Sequence, residues 1–253
     1  MSSDTILTFK PTDWRVGTVT EVLPEALGLR SYAFTFDAPI KHDAGQHYEI
    51  RLTAKDGYQA ARLYSAAMPA NGSSNMLQLT IALMPRGEVS SYIFNNVKTG
   101  SQLEIRGPFG RHFIWTPKVA DPVLLVGGGT GVIPLRAMRL QHQQASCQTP
   151  MKLLYSTDSY TDMPYKYELF PHTGVPAADV TITFTEQAPH GWKGYDRRID
   201  TVMIRQMLMD LPKNPLAYVC GPTPMVETAI QALLEAGLDP AKIKAERFGS
   251  TAA

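Results

Sequence analysis

Up to about residue 117 the apolar positions recur in short alternating runs separated by Gly, Pro, Asn and Asp. "WRVGTVTEVL", "LRSYAFTF", "QHYEIRLTA", "ARLYSAA", "MLQLTIAL" and "SQLEIRG" each read as a strand with one buried face, and six strands at this spacing predict a small antiparallel barrel. One stretch departs from the alternation. "GEVSSYIFNNV", residues 87–97, sets Val89, Ile93 and Val97 along one side of a short helix. The loop "MPANGSSNM", residues 68–76, reads as a polar surface crossover.

After "IWTPKVADP" the period changes. "PVLLVGGG" is a continuous apolar run ending in glycines, followed by the helical "VIPLRAMRLQHQQA". "MKLLYS", "VTITFTE" and "LAYVCG" follow as further strands, with helices near "MPYKYELFP" and "TVMIRQMLMDL" and at "PMVETAIQALLEAG". Strands alternating with helices imply parallel pairing with both sheet faces covered. The pattern therefore divides the chain near Pro117: residues 1–117 as a six-stranded antiparallel β-barrel with one short helix, residues 118–253 as an α/β parallel sheet of nucleotide-binding topology.

Composition narrows the function. The 253 residues, 44% of them hydrophobic, suffice for two packed cores and argue against a disordered chain. Lys and Arg number 11 against 10 acidic residues up to position 117, and 13 against 13 beyond it, so neither half is built for nucleic acid or an anionic membrane. Cys147 and Cys220 are too few for a disulfide framework or an all-cysteine iron–sulfur cluster. The six histidines, His42, His47, His112, His142, His172 and His190, are scattered without metal-ligand spacing, and no metal site is expected. No G-x-S-x-G elbow points to a hydrolase. "MSSDTILTFK" lacks the basic and apolar regions of a leader, and no apolar run is long enough to span a bilayer, which sets the expectation of a cytoplasmic protein.

The chemistry concentrates at strand ends. "LLVGGGTGVIPLRAM" puts Gly127, Gly128, Gly129 and Gly131 between a parallel strand and a helix, where bare backbone and unpaired helix N–H groups suit a pyrophosphate. Val132 stands where the third glycine of G-x-G-x-x-G belongs, and such turns also serve geometry alone. A second turn, "YVCGPTPMVETAI", repeats the arrangement, with Pro222 and Pro224 helping to start its helix. In the barrel, Arg62 can clamp a phosphate and the helix opening at Gly87–Ser90 can offer N–H groups to the same anion. Tyr64 can lie along an aromatic ring and Ser65 can hydrogen-bond a ring atom; a surface ion pair for Arg62 and barrel packing for Tyr64 are the plain alternatives.

Taken in order, "RLYS" (62–65), "GEVS" (87–90), "GPFG" (107–110), "GGGTGVIP" (127–134), "CGPTPM" (220–225) and "ERF" (246–248) resemble the ferredoxin–NADP reductase superfamily, and within it the bacterial oxygenase reductases. The resemblance runs from about residue 14 to 248. It implies FAD on the barrel and NAD or NADP on the α/β half. Arg62 would hold the FAD pyrophosphate, Tyr64 would line the isoalloxazine and ribityl region, Ser65 would sit near flavin N5, and Leu63 between them counts among the cofactor-binding residues. Gly87, Val89 and Ser90 would complete the diphosphate site, and Gly129, Thr130 and Gly131 would approach the nucleotide pyrophosphate. Cys220 and Gly221 would border the nicotinamide, with Glu246 and Phe248 near the flavin edge. Ser65, Cys220 and Glu246 are thus the residues expected beside the reacting atoms.

Two carboxylates bear on the choice of nucleotide. Asp158 and Glu186 stand where relatives that use NADP often carry Arg; a carboxylate accepts from a ribose 2′-OH and repels a 2′-phosphate, so NADH is expected before NADPH. Lys152, Lys166 or Arg197 are the cations that could reverse this. Relatives of this branch often carry a cysteine-rich ferredoxin domain; this chain has neither its length nor its cysteines. A separate electron acceptor is expected, such as a ferredoxin, an oxygenase component, a haem protein or a flavodoxin. Reduction of free flavin, and a non-catalytic flavin- and nucleotide-binding regulatory module, are the competing readings.

Overall fold

The computed structural model describes residues 10–170 and 176–249; the N-terminal stretch read for a leader and His172 lie outside them. The first sheet contains β1 (Arg15–Ala26), β2 (Leu29–His42), β3 (His47–Thr53), β4 (Gln59–Ser65), β5 (Ala70–Ala82) and β6 (Gln102–Phe109). Its order is β4-β3-β6-β1-β2-β5, every neighbour antiparallel. Just beyond β4, Ala66 forms an antiparallel bridge with Leu79 of β5, and the Ala67 N–H donates to the Gln78 carbonyl at 2.9 Å. The two outer strands of the sheet therefore meet near Ser65.

Alternation accounts for the inner face: Tyr32, Phe34, Tyr48, Ile50, Leu77, Leu79 and Ile81 are buried in one cluster. Helix α1 (Glu88–Asn96) adds Val89 and Ile93 to that cluster, and Val97 follows at its C-cap. Burying three such side chains is worth about 1.5–3 kcal/mol each, enough to dock a helix too short to persist alone. The loop expected at 68–76 is instead the first part of β5, where Ser74 pairs with Ile40 and Ala70 with His42. The long β2 supplies a backbone partner for these small residues, and pairing overrides their turn-like composition.

The second sheet is wholly parallel, β11-β10-β7-β8-β9. It comprises β7 (Val123–Gly128), β8 (Met151–Ser159), β9 (Val180–Gln187), β10 (Leu216–Pro222) and β11 (Ile243–Phe248). Every residue of β7 is buried, as the continuous apolar run requires of a central strand. The covering helices are α2 (Val132–Gln144), α3 (Lys166–Leu169), α4 (Thr201–Met209) and α5 (Thr223–Glu235). Asp200 caps α4, its carboxylate accepting from the Met203 N–H at 2.9 Å. The helix expected near "MPYKYELFP" is only the single turn α3, entered from Tyr165 in a left-handed conformation with φ 53°.

The halves share a core. Ala44 and Ala67 pack with Trp115, Val123, Leu135 and Tyr218 in one buried cluster, and the Tyr218 hydroxyl donates to the Ile114 carbonyl at 2.7 Å. Among the described residues no helix is long and apolar enough to cross a membrane.

Candidate functional site

The second sheet grows in opposite directions from β7, through β8 and β9 on one side and β10 and β11 on the other, so a crevice opens beyond the carboxyl ends of β7 and β10. A cavity of about 570 Å³ lies there, lined by Gly128, Gly129, Thr130, Asp158, Thr185 and Pro222. Its opposite wall comes from the first half of the chain: Leu27 to Leu29, at the β1–β2 turn, and Leu83. The cavity is thus a property of the seam.

Its glycines have separate reasons. Gly129, at φ 53°, has nothing within 4 Å of where a Cβ would stand, so its bare backbone faces open space in the cavity. Gly131 is buried against β10, and a Cβ there would stand 2.0 Å from the Cys220 carbonyl oxygen. Gly131 therefore lets the two glycine turns approach each other. The Tyr155 hydroxyl donates to the Gly129 carbonyl at 3.2 Å and steadies the turn from β8. The single turn Gly129–Gly131 runs straight into α2, whose Val132 N–H donates back to Gly129, so the backbone N–H groups at the head of that turn are the ones that give the site positive potential. An open glycine backbone, a helix start and a neighbouring threonine fit a dinucleotide pyrophosphate.

Asp158 and Thr185 line the far end together, the Thr185 hydroxyl donating to the Asp158 carboxylate at 2.6 Å. The three cations considered from sequence are engaged elsewhere: Lys152 pairs with Asp210, Arg197 pairs with Asp200, and Lys166 lies over Tyr160 and Tyr167. Arg198, which sequence reasoning passed over, lines the cavity with Asp158. Its position follows from the chain crossing back along β9, where Tyr195 bridges Thr183 and the Thr183 hydroxyl donates to the Arg197 carbonyl. Glu186, the second expected carboxylate, lies exposed on β9 and does not line the cavity.

At the near end, Cys220 and Glu246 are register partners on β10 and β11, as are Pro222 and Phe248. Cys220 is fully buried; burial first, then the Glu246 charge, hold its thiol well above the ordinary range, so it remains a neutral SH. Burial raises the Glu246 carboxyl to about 7. Cys220, Gly221, Gly131 and Phe248 do not line the cavity itself. Gly221, at φ 157°, brings backbone close to Gly128, and Phe248 packs against the shared core.

The other expected set gathers on β4. Arg62 faces Ile50 and Tyr64 faces Tyr48 across the β3–β4 pair, so both side chains take the face on which α1 packs. Leu63 opposes Glu49 on the other face, more than half exposed, and Ser65 opposes His47 at the strand end. Burial pushes the Tyr64 phenol up to about 12 against the pull of the Arg62 charge. The Tyr58 hydroxyl, next to β4, donates to Glu88 in the first turn of α1 at 3.2 Å. Arg62 is exposed, and among the described residues its side chain bonds the Ala61 carbonyl alone, at 2.7 Å, which leaves donors for an anion.

The structure gives Ser90 another use. Its hydroxyl accepts from the Met84 N–H at 3.1 Å and donates to the Gly87 carbonyl at 3.3 Å, closing the turn before α1. A Cβ at Gly87 would stand 2.5 Å from that hydroxyl, and the Val89 side chain is in the core. What α1 offers an anion is therefore backbone N–H, with Gly87 and Ser90 shaping the turn.

Residues 24–114 match the family model described as "Oxidoreductase FAD-binding domain", and residues 125–231 match "Oxidoreductase NAD-binding domain". The glycine betaine monooxygenase reductase subunit of Chromohalobacter salexigens is 26% identical over 239 residues, covering 92% of this chain and 64% of that protein. The ferredoxin–NAD(P)(+) reductase component of the naphthalene 1,2-dioxygenase system of Pseudomonas putida is also 26% identical, with 92% of this chain and 68% of that protein aligned. This chain thus spans just under two thirds of the first of these relatives. Among solved structures, the FAD/NAD-binding domain of the nitric oxide dioxygenase of Vibrio cholerae superposes with a TM-score of 0.79 at 22% identity, over 94% of this chain and all of that one. The ferredoxin reductase of carbazole 1,9a-dioxygenase gives 0.77 at 24% identity, over 94% of this chain and 70% of that one. At these identities the superpositions speak for the fold.

Proposed function

The chain is an FAD- and NAD(P)H-binding oxidoreductase module related to the reductases of oxygenase systems, and on that premise we propose that it takes a hydride from NADH onto FAD and passes electrons singly to a separate protein. In this reading residues 1–117 form the flavin domain and residues 118–253 the nucleotide domain; the Ala66–Leu79 bridge between the outer strands of the first sheet supports its closure into a barrel. The observation carrying the reading is the cavity at the seam, whose walls come from the glycine turns of one half and the β1–β2 turn of the other. Bound FAD supplies the chemistry, accepting two electrons with the hydride as the nicotinamide is oxidised and releasing them one at a time.

The chain's own residues bind and orient. Arg62 and the N–H groups of α1 hold the flavin diphosphate, and the phenol of Tyr64, kept neutral by burial, lies along the ring. Ser65, at the end of β4, offers a hydroxyl to the reacting edge of the flavin. Gly129, Thr130 and the start of α2 hold the nucleotide pyrophosphate. Cys220 presents an uncharged, water-excluding surface to the nicotinamide, and Glu246 beside it holds a proton below a pH of about 7 and releases it above. Gly221 and Phe248 complete that wall.

Asp158, turned by Thr185, accepts from the adenosine ribose 2′-OH and favours NADH; Arg198 on the same wall moderates the preference by attracting a 2′-phosphate. The acceptor is a ferredoxin or an oxygenase component, a reading supported by relatives named as reductase components of oxygenase systems. The test is spectroscopic. The purified protein should be yellow, and NADH under nitrogen should bleach it; a colourless protein, or flavin left oxidised by excess NADH and NADPH, refutes the assignment.

A further inference from the structure

Hydride transfer requires the strand end that carries Ser65 and the turn that carries Gly129 to be held at one fixed separation, although they belong to different halves. One side chain links the segments that follow them. Arg136 stands in the early turns of α2, shortly after the glycine turn, and its Nη1 donates to the Ala67 carbonyl, two residues beyond Ser65, at 2.9 Å. That carbonyl belongs to a fixed segment, since the Ala67 N–H donates to Gln78 and Ala66 bridges Leu79. The Arg136 side chain is 14% exposed, and its guanidinium donates through Nε to Glu168 at 2.7 Å and lies 4.2 Å over the Tyr165 ring.

Tyr165 continues the connection. Its hydroxyl is 2.5 Å from that of Thr80 on β5, which is 2.7 Å from that of Ser31 on β2. Ser31 donates to Glu25 of β1 at 2.6 Å, and the other oxygen of Glu25 accepts from the Tyr165 N–H at 3.3 Å. The left-handed backbone of Tyr165, φ 53°, is a conformation a β-carbon-bearing residue adopts only when its surroundings impose it, and here it aims both the N–H and the ring at the first half. The Glu25 branch also ties down β1 just before Leu27, which walls the cavity.

We propose that Arg136, stacked on Tyr165, is the positioning residue that sets the register between the flavin and nicotinamide half-sites. The inference rests on the hydride-transfer reading. Arg136 touches neither ligand site by any bond of its own; it acts through Ala67 and through α2. The ion-pair arrangement also explains why the contact can be altered without wrecking the fold. Glu168 is held at 3.2 Å by Arg139 as well, and Arg139 pairs with Asp179, so removing Arg136 leaves no buried carboxylate alone.

The experiment is single-turnover reduction of the FAD-loaded protein by NADH under nitrogen, comparing wild type, Arg136→Met, Arg136→Lys and Tyr165→Phe. The saturating rate, the nucleotide dissociation constant and the long-wavelength charge-transfer absorbance of stacked rings are read together. A displacement near 1 Å costs on the order of 100-fold, so Arg136→Met is expected to lower the saturating rate about 10- to 100-fold. The charge-transfer band should fall with it, while FAD content and nucleotide affinity stay near wild type. Arg136→Lys keeps the charge without the fork and should recover part of the rate; Tyr165→Phe loses the hydroxyl's links to Thr80 and Ser31 but keeps the ring under Arg136, and should show the same pattern at smaller size. Wild-type rate and charge-transfer intensity in Arg136→Met overturn the proposal, as does an unaltered Tyr165→Phe if Arg136→Met proves insoluble. Loss of rate and affinity in equal measure also overturns it. A wild-type flavin that NADH never reduces overturns the hydride reading itself, and is recognised before any variant is made.

Discussion

Replacing Glu246 by Gln isolates the electrostatic cost of a carboxyl held beside Cys220 on the neighbouring strand. Burial alone raises this group from an ordinary 4.5 to about 7. Below the lower value the carboxyl is protonated in both the folded and the unfolded chain, and stability is undiminished. As pH rises from 4.5 to about 7 the unfolded chain ionises while the folded chain holds its proton, so stability is lost across that window and the loss is complete above it. At 1.36 kcal/mol per pH unit the separation sets a ceiling of about 3.4 kcal/mol. Glu246 is only partly buried, and solvent screening reduces the expected loss to about 1–2 kcal/mol. Gln occupies the same space and cannot ionise. Urea unfolding of both proteins, at one FAD concentration because bound ligand adds to apparent stability, should therefore show Glu246→Gln gaining about 1–2 kcal/mol on wild type between about pH 5 and about pH 8. Cys220 does not confuse the comparison, since its thiol stays protonated throughout. Parallel pH dependence in the two proteins refutes the reasoning.

The remaining sites give equally specific outcomes. On the proposed placement Arg62→Ala removes a charge-assisted partner of the flavin diphosphate, worth about 1.5–3 kcal/mol, and should weaken FAD binding roughly 10- to 150-fold in a fluorescence titration. Arg198→Ala should raise the ratio of NADH to NADPH efficiency and Asp158→Arg should lower it; opposite signs in steady-state assays tie both residues to the ribose end of the cavity. Gly131→Ala drives a methyl into the Cys220 carbonyl, backbone against backbone, and should cost about 3 kcal/mol in chemical unfolding.

How much of this the chain discloses depends on the range of the interaction. Strands with one buried face declare themselves through alternation, and β7 through an uninterrupted apolar run, because those patterns record local burial. The glycine turns at 127–131 and 220–221 are legible for the same reason, although only the structure separates Gly129, open to the cavity, from Gly131, required for packing. The first part of β5 escapes notice because its partner, β2, confers order on residues with turn-like composition. "ERF" is visible as a terminal motif, but its place on edge strand β11, which aligns Glu246 with Cys220, depends on a long-range register. Arg136, Tyr165, Thr80, Ser31 and Glu25 carry no spacing signal at all. Each is an ordinary residue on its own element, and only tertiary packing makes them one connection. Arg198 reaches the cavity by the same kind of accident of return path.

The central claim is that a hydride crosses directly from nicotinamide to flavin at the seam of the two halves. It is tested by anaerobic single-turnover bleaching at saturating nucleotide, with NADH carrying hydrogen or deuterium at the transferred position on C4. A slower limiting rate with deuterium is the predicted result. Equal limiting rates for the two isotopic forms, or a flavin that neither form bleaches, contradict the account.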